Sequence, residues 1–197
     1  MLPDLARVHA VTANLFFWQG LRFVPLGLGL VLLSASYASW WPLADAWHDP
    51  FLIVLLVTAL SASSAIGTYY GRAYGRVRGV PGAHATRTRM KWLVVYPAMA
   101  LSLIADGVLA PPVFISGLVW GVGILLYWWS TGRGRLHYPG AALLSASAVA
   151  WPALGFSASG VPTVNLFMGL IGIIYVICGV LDHLELKRVL RSIPDDA

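Results

Sequence analysis

Residues 71–91 read GRAYGRVRGVPGAHATRTRMK, so that Arg72, Arg76, Arg78, Arg87, Arg89 and Lys91 lie between two long apolar runs. The chain has thirteen Lys and Arg residues in all, and the others sit at Arg7 and Arg22, at Arg133 and Arg135, and at Lys187, Arg188 and Arg191. Six apolar stretches lie between these groups, at about 22–41, 51–70, 92–109, 112–130, 138–155 and 163–181. Each approaches the roughly 20 residues that a helix needs to cross a hydrocarbon core of about 30 Å. The first, third and fifth connections carry no Lys or Arg, whereas the second, the fourth and both flanking segments do. Basic residues stay on the cytoplasmic side of a membrane protein. The alternation therefore predicts one all-α domain, a bundle of six transmembrane helices with both termini cytoplasmic. One span more or fewer would break the pattern.

Composition points the same way. Of 197 residues, 58% are hydrophobic and 11% charged, with a mean hydropathy of +0.75. A soluble domain carries roughly 25% charged residues, and half of that leaves much of the surface to be solvated by lipid. The net charge of +5 does not indicate nucleic acid, because the basic residues are confined to short segments between apolar runs. The predominance of Arg over Lys, with much Ala, Gly and Pro, is the composition of a GC-rich bacterial genome, and the cytoplasmic (inner) membrane is the expected location. Trp40, Trp41 and Trp47 mark the outer interface, and Trp18, Trp92, Trp128 and Trp129 the inner one. The segment Pro3–Trp18 reads as a short interfacial helix, with Leu5, Val8, Val11 and Leu15 recurring at threes and fours. It is not read as a cleaved signal, since cleavage near residue 38 would remove the first span.

Several clusters are candidate sites. Gly67, Gly71 and Gly75 recur every four residues, beside Tyr70 and Tyr74 and beside Arg72 and Arg76. Small residues in register let helices approach closely in lipid, and paired arginines suit phosphate head groups or an acidic partner. The alternative is a plain helix exit, anchored by Tyr and Arg. Asp182 and Glu185 leave the sixth span at the depth of that arginine pair, so the expectation is either a clasp of spans two and six, within one chain or across a dimer, worth about 0–1 kcal/mol if partly exposed, or a local Glu185–Arg188 pair with Asp182 solvated. Asp106 is the one acid inside the third span, either a transport residue or an interfacial acid. Gly117 and Gly121 flank Trp120 in the fourth span, which suggests close packing, or a pocket, around an indole whose N–H requires an acceptor.

No cofactor, metal or catalytic motif is found. There is no G-x-S-x-G, no H-E-x-x-H and no P-loop. The single cysteine, Cys178, excludes an internal disulfide, and the five histidines lie near both membrane faces. An aromatic residue near a proline opens spans one, three and five, at Phe23, Tyr96 and Tyr138, which is either a threefold hairpin repeat or coincidence in a restricted alphabet. Two function classes remain. The preferred one is a non-catalytic accessory or regulatory membrane subunit, or interaction scaffold, in a homo- or hetero-oligomer, with anionic lipids at its inner face. The other is a small oligomeric transporter or channel that uses Asp106.

Overall fold

A computed structural model describes residues 19–37, 45–74, 83–109, 113–131, 135–155 and 163–191. The described residues form six α-helices and no strand. A 3-10 turn, Gly20–Arg22, leads into α1 (Phe23–Ser36). Then follow α2 (Asp45–Tyr74), α3 (Ala83–Leu109), α4 (Ile115–Thr131), α5 (His137–Ser147) with a 3-10 turn at Ala148–Ala150, and α6 (Thr163–Arg191). By length and composition, two helical stretches could cross a membrane: Trp47–Ala73 in α2 and Thr163–Val189 in α6. The segment Pro3–Trp18, read above as an interfacial helix, lies outside the described residues.

The helices follow the apolar stretches but not their edges. α3 begins nine residues before the apolar run, because Ala, Arg, Met and Lys are good helix formers that need no burial. α6 continues to Arg191 for the same reason, and buries Leu186 and Val189 in its extension. The fifth stretch ends early. A helix to residue 155 is expected, yet α5 stops at Ser147. Pro152 has no N–H to give to the Ala148 carbonyl. That carbonyl accepts from Trp151 instead, at 3.0 Å, and the carbonyl of Val149 accepts from Phe114 N–H at 3.4 Å. The chain then turns out at Gly155, whose φ of +70° is the left-handed conformation glycine tolerates.

α6 is the centre of the arrangement. It packs along α1 and the Gly20–Arg22 turn, and also meets α5 and α3, while α4 joins α5 and α3, and α2 lies against α1. The α1–α6 contact is antiparallel and made of backbone. Gly20 lies on the carbonyl of Gly179, and a Cβ on Gly27 would stand 2.5 Å from the carbonyl of Gly172. Conversely, a Cβ on Gly172 would stand 2.6 Å from the carbonyl of Gly27, and one on Gly179 2.6 Å from that of Gly20. Both pairs are seven residues apart on each helix, so two turns of α1 rest on two turns of α6. Small residues are what helix association in lipid requires.

The apolar core fills the other side of α6. Phe167 is fully buried and meets Phe114, Trp120 and Trp151 edge-on, with centroids at 5.0, 6.1 and 6.3 Å. Trp120 gives its indole N–H to the Met99 carbonyl on α3, at 3.1 Å. Gly117 and Gly121 face α5, where a Cβ would come within 2.9 Å of Val149 N and of the Ala142 carbonyl, respectively.

Candidate functional site

The polar centre of the molecule is Asp182, which follows nineteen uncharged residues of α6 and has a side chain with no exposure at all. A carboxylate so placed needs a cation and several donors. Arg135, in the segment just before α5 and equally buried, donates from Nη1 to Oδ2 at 2.9 Å. The Tyr138 hydroxyl donates to the same oxygen at 2.6 Å, and His137 Nε2 lies 3.0 Å from Oδ1. The local fold brings these together: Tyr138 N–H bonds back to the Arg135 carbonyl at 3.3 Å, a tight turn that aims Arg135, His137 and Tyr138 at one target. The guanidinium is also held by two ring faces, with centroids 5.4 Å away for Tyr127 and 4.9 Å for Tyr138. Burial works against the Arg135 charge, but Tyr127, Asp182 and Tyr138 around it outweigh that, and its pKa is held above the ordinary guanidinium value.

His183, the next residue, looks the other way. Its Nδ1 lies 2.7 Å from the hydroxyl of Tyr70, which is fully buried on α2. Two successive side chains thus tie α6 to the α4–α5 connection on one side and to α2 on the other.

The sequence-predicted residues are distributed differently from the expected clasp. Asp182 turns to Arg135 and not to Arg72, which is exposed on the outer face of α2. Spans two and six are joined by Tyr70 and His183 instead. Gly67 is covered by the guanidinium of Arg22, 3.0 Å from where its Cβ would be, whereas Gly71 has nothing within 4 Å and stands open. Glu185 is half-buried on α6. Gly75, Arg76 and the side chain of Tyr74 lie outside the described residues.

Asp106 is buried, at 4% exposure, and has a defined task. Its Oδ1 accepts from Ile115 N–H at 3.2 Å and its Oδ2 from Ser116 N–H at 2.6 Å. It therefore caps α4 from the end of α3, satisfying two of the amides that a helix start leaves unpaired. Asp106→Ala is expected to lower stability by about 1–2 kcal/mol, the cost of losing a cap, with Asp106→Asn in between. Thermal unfolding in detergent measures this, and equal midpoints for all three proteins would remove the capping role.

Above the Asp182 cluster lies a cavity of about 560 Å³, counted with its open mouth. Phe23, Tyr96, Met99, Ile124, Ile174 and Cys178 form most of its wall, and Tyr127 and Tyr138 separate it from Arg135. Among the described residues, no three His, Cys, Asp or Glu side chains converge as metal ligands would.

The chain matches no family model, no curated protein and no solved structure. Sequence reasoning missed the Arg135–Asp182 pair because several basic segments were equal candidates for Asp182 and nothing in their spacing selects one. The usable signal was Arg-Leu-His-Tyr at 135–138, a cation and two donors within one turn.

Proposed function

We propose that the chain is a non-catalytic, polytopic protein of the bacterial inner membrane, crossing the bilayer six times with both termini cytoplasmic, and that it acts as an accessory subunit which offers α2 to a partner protein. The observation that carries this is the state of α2. It is the longest of the described helices, yet its most apolar stretch is almost wholly unburied, at 6%. Its outward side alternates large apolar residues, Ile53, Leu56, Val57 and Leu60, with a run of small ones, Ser61, Ser64, Ala65, Thr68 and Gly71. A face of that kind suits helix association in lipid. The internal polar groups support the same reading. The carboxylates of Asp182 and Asp106 are engaged in bonds that hold helices together. The fifth crossing is compatible with this reading although α5 alone, at about 1.5 Å per residue, covers roughly half of the core. Non-helical backbone is tolerated at membrane depth when protein encloses it, and Ala148 is fully buried there.

The test is native mass spectrometry of the full chain released gently from its own membranes. A stoichiometric second protein is expected, and Gly71→Leu should release it without changing the unfolding midpoint, because a side chain at Gly71 meets no described residue within 4 Å. A homo-oligomer or a monomer with no second protein would overturn the accessory role. A solute flux in vesicles abolished by Asp106→Asn would replace it with transport.

A further inference from the structure

We infer that the cavity between α1, α3, α4 and α6 binds the hydrocarbon chain of a bilayer lipid, admitted sideways between α1 and α3. Its wall is almost wholly carbon and sulfur: Phe23 from α1, Met99 from α3, Ile124 from α4, and Ile174 and Cys178 from α6. The polar ends of the tyrosines that line it are turned away where they are fixed, the Tyr138 hydroxyl to Asp182 at 2.6 Å. Such a space gives water too few partners, and apolar cavities stay dry and take apolar molecules.

The mouth decides the occupant. α3 packs on α4 and only lightly on α6, so the wall is incomplete on the side of Phe23 and Tyr96. Tyr96 is 48% exposed there, beside Leu93 and Val94, which are among the most exposed apolar residues of the chain. A route rimmed by such residues opens to lipid rather than to water. Gly123 lies in the lining, facing Met99, and leaves backbone where a side chain would otherwise fill the space. Among the described residues, no charged group stands in the wall, which selects a chain and leaves the head group outside.

This inference rests on the reading that the bundle is embedded in a bilayer, and one experiment separates the two. The full chain is placed in vesicles of phosphatidylcholine with a diazirine near the middle of one acyl chain, irradiated, and its labelled residues mapped. Leu101 and Ile104 face outward on α3, at nearly the depth of Met99, which faces the cavity. Labels on Leu101 and Ile104 report the surrounding bilayer. Labels on Met99, Ile174 and Cys178 report a chain inside. Both sets are expected, and the inner set should be lost in Gly123→Leu, whose side chain would displace Met99 (2.9 Å from the new Cβ) and occupy the space. Cys178→Phe should remove the same labels from the opposite wall, so that a failure of either variant to fold leaves the other. Labels on the outer set alone overturn the inference and leave the bilayer reading standing. Labels on neither set overturn both. Inner labels from a small free diazirine, with none from the phospholipid, make the cavity a site for small apolar molecules and also overturn the inference. Inner labels that persist in both variants do the same.

Discussion

Arg135→Ala is expected to cost about 3–5 kcal/mol of unfolding free energy, the usual effect of removing one partner from a fully buried ion pair. Both side chains have no exposure, so water does not replace the lost cation. Asp182 would keep the hydroxyl of Tyr138 and the ring of His137 but would be a charge in an apolar site. The size of the effect comes from that stranded carboxylate and not from the pair itself, since the desolvation of both ions offsets most of their attraction. The double variant Arg135→Met, Asp182→Leu should therefore recover most of the loss. A denaturant titration in detergent of the wild type, Arg135→Met, Asp182→Leu and the double variant gives the coupling directly. A single-variant loss below about 1 kcal/mol, the range of solvated pairs, would mean that the pair is hydrated.

The second large effect is expected at the glycine contact of α1 with α6. Gly27→Ala and Gly172→Ala each place a methyl group about 2.5 Å from a carbonyl oxygen of the other helix. No flexible side chain is there to move aside, so the helices must separate. A loss of at least the 1–3 kcal/mol typical of overpacking is expected for each, and Gly27→Leu should fail to fold. The double Ala variant should cost less than the sum, because helices already parted by the first methyl make room for the second. Gly71→Leu, at an open position, should change stability by no more than about 0.5 kcal/mol. If Gly27→Ala is equally silent, the two helices do not touch as described.

These two sites show what a single sequence reveals of such a protein. Helical structure is legible over most of the described residues, because apolar runs of Leu, Val, Ile and Ala of that length are too long for strands. The ends are less so. Nothing in an apolar stretch marks where a good helix former such as Arg87 extends a helix, or where Pro152 ends one. Packing is hardest to read. A search for small residues four apart finds Gly67, Gly71 and Gly75, of which the first two do not meet another helix backbone. Gly117 and Gly121, also four apart, do meet the backbone of α5 and its 3-10 turn, but the glycines of the α1–α6 seam, Gly20 with Gly27 and Gly172 with Gly179, are seven apart and come from opposite ends of the described chain. Their pairing depends on which helices become neighbours, which local pattern does not encode. Asp106 shows the opposite case. Its place before a turn and a new helix was visible, but an acid in an apolar run draws attention to transport before capping.

The antiparallel seam of α1 and α6 also sets a timetable. Gly20 and Gly27 leave the ribosome roughly 150 residues before Gly172 and Gly179, which at about 5–20 residues per second is an interval on the order of 10–30 seconds. Throughout it, the first helix of the seam stands beside α2 with a bare backbone face and no counterpart. Closure of the bundle waits on the helix made last, and so does formation of the buried ion pair, whose acid lies three residues beyond Gly179. Nascent chains halted before residue 172 should remain open to proteolysis, however complete the first five described helices are.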